Sequence, residues 1–174
     1  MSRPTLAADI GGTWLRVRIG SGLVQRTPSP SILTAPDVPV PELRLRLVAA
    51  LAEAAPADAL AAVSVGAAID HLTGQVHGSA PLWGDAADGF DLAGALRSAR
   101  PDVDWVLVND VTAGLVDLAH RYGTGARRVG YLTVSSGIAL RTADLRLDQV
   151  PVDEWGMQGE IGRASCRERV CLLV

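Results

Sequence analysis

The chain has 174 residues, enough for one domain or for one domain and part of another. A hydrophobic fraction of 48% against 20% charged excludes a disordered chain, and a net charge of -3 gives no electrostatic case for nucleic acid or an anionic membrane. All 16 basic residues are arginine. A Walker-type P-loop and Schiff-base chemistry, which both need a lysine, are therefore excluded.

In chain order, strands are predicted at residues 4–10, 14–20 and 22–27, the first two joined by a Gly-Gly turn. A proline-rich linker follows (Pro28, Pro30, Pro36, Pro39, Pro41). Leu43, Leu47 and Leu51 recur at four-residue spacing and predict a helix over 42–55. Residues 60–66 are rich in Ala and Val, as in a buried parallel strand. A turn is expected at 71–74, a loop at 78–89 and a short helix at 91–99. A buried strand at 103–108 leads directly into a helix at 110–121, with Val111, Leu115 and Leu118 on one face. A further strand at 128–134 opens a new hairpin. Three antiparallel strands followed by alternating helix and strand give an α/β fold with a mixed five-stranded sheet.

No uninterrupted apolar run is long enough to cross a bilayer, because 47–69 is broken by Glu53, Pro56 and Asp58. Met1 is followed by Ser2, Arg3 and Pro4 and then directly by the first strand, so no signal peptide and a cytoplasmic location are expected.

Chemistry is concentrated at three places. The first is LAADIGGTWLRVRIG, a hairpin with Gly11, Gly12 and Thr13 at its tip and Asp9 at its shoulder. Glycines let backbone N–H groups close around an anion. A carboxylate beside them suits hydrated Mg²⁺, which prefers oxygen ligands and keeps its waters. An ordinary Gly-Gly hairpin is the alternative. The second is Asn109 with Asp110, at the carboxyl end of a buried strand where ligands gather in open α/β sheets. Asn109 is the only asparagine of the chain. Asp110 reads equally as a helix N-cap, and the roles are compatible, because a carboxylate at a helix N-terminus stays ionised. The third is Ser135-Ser136-Gly137-Ile138, at the end of the strand 128–134; a polar turn is its alternative. His71, His77 and His120 show no metal-ligand spacing, and Cys166 and Cys171 match no zinc pattern. Trp83 is read as a core residue before a ligand-stacking one.

DIGGT at 9–13, VLVNDVTAGLVDLAHRYGTG around Asn109 and SSGI at 135–138 come in an order that resembles the ROK family of bacterial sugar kinases, within the actin-like ATPase superfamily. The resemblance implies an actin-like (ribonuclease H-like) lobe over 1–122, the start of a second, similar lobe over 123–159, and ATP-dependent phosphorylation of a hexose or N-acetylhexosamine. It implies that Asp9 orients Mg²⁺ through water and that Gly11, Gly12 and Thr13 hold the ATP phosphates, with Ser136 and Gly137 as the second phosphate hairpin. Asn109 and Asp110 would bind the sugar, with Asp110 the catalytic base. Glu160, in a GEIG run similar to the family's sugar motif, would be a further sugar ligand. Ala139, Leu140 and Arg141 stand where the family has more glycine, and Arg163 follows GEIG where the family has the His of a zinc site, so no complete zinc site is expected. Family members are often dimers. Residues 160–170, EIGRASCRERV, resemble a translated sequencing adapter, and 160–174 are taken as an artefactual tail. The 174 residues are then expected to form an inactive fragment of a kinase. A ROK-type sugar-responsive transcription regulator is the alternative; such proteins carry a helix-turn-helix before the hairpin, and only four residues precede the first strand here.

Overall fold

The computed structural model describes residues 2–70, 72–84, 88–122, 128–134, 137–144, 158–163 and 169–173. They fall into two compact units, Met1–Asp110 and Val111–Val174.

The first unit is built on a five-stranded sheet of β1 (Thr5–Ile10), β2 (Trp14–Ile19), β3 (Gln25–Pro28), β4 (Leu60–Val65) and β8 (Asp104–Asn109), in the order β3-β2-β1-β4-β8. β1 and β2 are antiparallel, with Ile10 opposite Leu15 and Asp9 opposite Arg16. β1, β4 and β8 are parallel and in step, so Ile10, Val65 and Asn109 lie in one row across their carboxyl ends. The mixed α/β sheet expected from the sequence is thus present.

Helix α1 (Val40–Ala54) buries Leu43, Leu47 and Leu51 completely, as the four-residue spacing requires. Its core partners are Leu6, Ala8 and Ile10 of β1, Leu15 and Val17 of β2, and Ala61, Val63 and Val65 of β4. β4 is parallel as expected but buried on one face only: Leu60 and Ala62 are exposed and Ser64 is half-buried. The sheet stacks its core on the helix side and keeps Asp9, Arg16 and Ser64 on the other.

A three-stranded sheet of β5 (Ala68–Asp70), β6 (Gln75–Gly78) and β7 (Phe90–Asp91), not expected from sequence, flanks the turn and the loop that were. Its strands have two to four residues, too few to show a period of two in sequence. The loop at 78–89 also contains a one-turn helix, α2 (Ala80–Trp83), capped by the Ser79 hydroxyl, which accepts from Leu82 N. Helix α3 (Leu92–Ala99) starts at Asp91, whose carboxylate accepts from Gly94 N at 2.7 Å. The proline-rich stretch is packed chain: Ser31 is buried, and Ile32 N donates to Leu82 O at 2.9 Å.

Helix α4 (Asp110–Tyr122) leaves β8 directly. From Val111 onward it belongs to the second unit, where Leu115 packs with Val129 and Ala143, and Leu118 and Tyr131 lie against them. Gly114 permits the approach, since a Cβ there would fall 2.4 Å from the Tyr131 ring. This packing places α4 from Val111 onward with the second unit. The second unit carries a four-stranded sheet of β9 (Arg128–Val134), β10 (Gly137–Asp144), β11 (Gln158–Arg163) and β12 (Arg169–Leu173), in the order β11-β10-β9-β12. No helix among the described residues is long and apolar enough to cross a membrane.

Candidate functional site

The row Ile10, Val65, Asn109 sets the site. The chain leaves the sheet at one edge after each of these residues, through Gly11-Gly12, Gly66-Ala67 and Asp110. Hydrogen bonds tie these exits together. Gly66 N donates to Ile10 O at 2.9 Å. The Asn109 side-chain N donates to Ala67 O at 2.9 Å, which fixes its amide against the neighbouring strand exit. Ser79 Oγ donates to Gly66 O at 2.6 Å. The Asp110 carboxylate is exposed and lies close to Gly66, where a Cβ would sit 3.5 Å from its Oδ2. A helix N-terminus and a strand exit thus present an exposed carboxylate beside an anchored amide. Such a pair can accept a proton from a hydroxyl and hydrogen-bond its neighbours.

The glycine hairpin is braced from behind. Gly11 N donates to Trp14 O at 3.0 Å and Ser29 N to Thr13 O at 3.0 Å. Ser31 Oγ donates to Gly12 O. Gly12 sits so close to Pro81 and Leu33 that a Cβ would meet the Pro81 Cβ at 2.6 Å and the Leu33 side chain at 2.8 Å. The 29–35 segment and α2 therefore hold the tip against the same stretch, Ser79 to Trp83, that hydrogen-bonds Gly66. Arg44 of α1, itself buried, fixes the far end of that stretch. It pairs with Asp88 at 2.8 Å and lies over Trp83 at 4.9 Å and Phe90 at 5.2 Å. Its hydrogen bond holds the Asp88 carboxyl below the usual carboxylate range. Trp83 is 2% exposed and meets Phe90 edge-on at 5.7 Å, so it is a core residue.

Asp9 is half-exposed, and both its oxygens are engaged: Oδ2 with Arg16 Nη1 at 2.7 Å, Oδ1 with Ser64 Oγ at 3.2 Å. No group of three metal-ligating side chains occurs among the described residues. One carboxylate beside a glycine turn fits a Mg²⁺ that arrives on phosphates and keeps its waters, and does not fit a resident ion in a protein cage.

The structure therefore brings Asp9, Gly11, Gly12, Thr13, Asn109 and Asp110 to one edge of one sheet. Ser136 lies outside the described residues. Gly137 opens β10, in register with Arg163 of β11; Ala139, Leu140 and Arg141 continue β10 opposite Thr133, Leu132 and Tyr131. Glu160 lies within β11. Of the two cysteines, Cys166 falls outside the described residues and Cys171 pairs with Leu132 in the backbone ladder. His71 likewise falls outside them. Arg16, Ser64, Ser79 and Gly66 were not singled out from sequence. Arg16 was accessible, since counting back from the hairpin tip sets it opposite Asp9; the other three depend on long-range pairing.

The five-stranded mixed sheet in this order has a fold shared with solved ROK family proteins. The ROK hexokinase of Thermus thermophilus matches with a TM-score of 0.64 at 22% identity, over 90% of this chain and 51% of that one. A ROK family transcriptional regulator, a homolog of the E. coli MLC protein, matches with a TM-score of 0.67 at 12% identity, over 94% and 41%. No family model matches the chain. In sequence, the chain is 47% identical over 165 residues to the 2-epi-5-epi-valiolone 7-kinase of an Actinoplanes species. In fold the chain is similar to these ROK family proteins, and in sequence to this kinase. It spans 46% of the length of that curated relative.

Proposed function

We propose that the chain is part of an ATP-dependent kinase that phosphorylates a hydroxyl of a sugar or sugar-like ring. The observation that carries the reading is the shared edge: an exposed Asp110 and an anchored Asn109 stand one strand away from the exit of β1 into the Gly11-Gly12 hairpin, with Gly66 between them. Acceptor activation and phosphate binding then occur on one rigid element. The sequence identity with a kinase favours this over the regulator reading, whose support is the fold alone.

In this reading backbone N–H groups of Gly11, Gly12 and Thr13 cradle the phosphates, and Asp9 orients the hydrated Mg²⁺ that neutralises them. Asn109 hydrogen-bonds the acceptor ring, and Asp110 accepts the proton of the attacking hydroxyl as the phosphoryl group transfers. Catalysis comes from positioning and charge stabilisation, since phosphoryl transfer needs little covalent help from protein. The roles that the family resemblance gives to Ser136 and Gly137 for phosphate belong to the same proposal. So do either a sugar-ligand role for Glu160 or, in its place, an adapter origin of 160–174, and little kinase activity of the 174 residues alone. The acceptor is a hexose, an N-acetylhexosamine or the valiolone named for the relative.

The test is phosphate transfer from labelled ATP in the longer protein carrying this sequence, with glucose, N-acetylglucosamine and 2-epi-5-epi-valiolone as acceptors. Transfer to one of them, lost on Asp110→Asn, supports the reading. Sugar binding without transfer by the longer protein contradicts it and favours a regulator.

A further inference from the structure

Arg16 occupies the place that a metal cation needs. It stands directly across the hairpin from Asp9, with its guanidinium 2.7 Å from Oδ2, on the open face of the sheet. Both side chains are 45% exposed, so the pair is reachable by solutes. On its other side Arg16 faces Arg26 of β3 in register, a like-charge pairing that is unfavourable by itself. Two contacts relieve it: Asp9 takes the charge of Arg16, and Arg26 stacks 3.5 Å over the Trp14 ring. The row Asp9, Arg16, Arg26 therefore carries one negative and two positive charges beside the phosphate hairpin, with Asp9 already neutralised.

We propose that Arg16 is a positioning residue that acts as an internal counter-ion for Asp9 and is exchanged on nucleotide binding. Without nucleotide, its guanidinium holds the carboxylate in place together with Ser64 and keeps free divalent cations off it. When Mg²⁺ arrives on a nucleotide, Arg16 leaves Asp9 and its guanidinium pairs with phosphate oxygens. Charge is conserved in the exchange: one carboxylate–guanidinium pair and one metal–phosphate complex become a carboxylate–metal contact and a guanidinium–phosphate contact. Arginine suits the second half because its fork matches phosphate geometry. The exchange makes metal recruitment at Asp9 conditional on phosphate. It rests on the nucleotide reading given above.

The test uses the full 174-residue chain, ¹⁵N-labelled, with Mn²⁺ as the probe and selective broadening of the Asp9 and Gly11 amides as the readout. Asp102 and Asp104, at the opposite ends of the strands, serve as internal controls. Arg16→Gln is expected to raise the affinity of Asp9 for Mn²⁺ alone by about fivefold or more. The same variant is expected to weaken binding of Mn²⁺ with the ATP analogue AMPPNP by a similar factor. Arg16→Lys, which keeps the charge, is expected to hold Mn²⁺ off as the wild type does. Opposite signs for metal alone and metal with nucleotide are the signature; a purely structural arginine would move both the same way. Equal Mn²⁺ affinity in wild type and Arg16→Gln, with AMPPNP still bound at Gly11, overturns the exchange and leaves the nucleotide reading standing. No response of residues 9–13 to Mn²⁺ with AMPPNP in either protein overturns both.

Discussion

The two edges of the five-stranded sheet use the same residue types for opposite ends. At the amino edge, arginines and aspartates close the backbone. Arg3 donates to the carbonyls of Asp58 and Ala59 and pairs with Asp104. Arg100 donates to the carbonyls of Ala52, Ala55 and Pro56, which end α1, and pairs with Asp102 at 2.7 Å. Asp102 in turn accepts from Asp58 N, at a turn where Asp58 has a φ of 55°. At the carboxyl edge the strand exits are tied by hydroxyl and amide donors to carbonyls, Asp9 is half-exposed in its pair with Arg16, and Asp110 is exposed. Arginines bonded to carbonyls stiffen one end, while at the other the carboxylates lie within reach of solvent. In open α/β sheets ligands gather at the carboxyl ends of the parallel strands, the edge at which these carboxylates lie.

Variants at the two edges should therefore fail differently. The largest effect is expected from Asp110→Asn in the longer kinase, a loss of about 10²–10⁴-fold in turnover, with thermal unfolding of the lobe nearly unchanged. A comparable drop in melting temperature would make Asp110 a helix cap first. Gly12→Ala should do both kinds of harm, because its Cβ meets Pro81 and Leu33 inside contact distance. A stability cost of about 1–3 kcal/mol is expected, as for other overpacked sites, along with loss of nucleotide binding measured calorimetrically. Arg100→Ala should lower the melting temperature and leave nucleotide binding intact, since its partners, the end of α1 and Asp102, lie at the amino edge. The smallest effect is expected from Asp102→Asn. The hydrogen bond from Arg100 holds the Asp102 carboxyl well below the usual carboxylate range. Its stabilisation is thus complete above the ordinary aspartate value of about 3.9 and is lost as pH falls toward the depressed one. Acid titrations followed by circular dichroism should show a shallower loss of stability below about pH 4 in the variant than in the wild type.

Most of the carboxyl edge was legible in sequence because its signals are local. Two glycines flanked by Asp9 and Thr13 mark a hairpin, and Asn109 and Asp110 stand where a strand becomes a helix. The leucine spacing of α1 was equally readable, and Leu43, Leu47 and Leu51 are buried as it required. What escaped depends on contacts across long sequence separations. Ser64 reaches Asp9 only because β4 adds in parallel beside β1. Prolines 28 to 41 read as a linker, yet in that stretch the Ser31 hydroxyl braces the hairpin and the Ile32 backbone N–H joins it to α2, through bonds that no pattern announces. The strands of β5, β6 and β7 are too short to carry a period.

The central claim is that an acceptor sugar sits against Asn109 and Asp110, and the composition of the chain offers a direct probe. Asn109 is its only asparagine, so selective ¹⁵N-asparagine labelling yields a single side-chain amide, the one bonded to Ala67 O. Titrating the labelled chain with glucose, N-acetylglucosamine and 2-epi-5-epi-valiolone should move that amide saturably with one of them. An Asn109 amide that stays fixed while the same sugar binds by calorimetry would place the acceptor elsewhere and contradict the account.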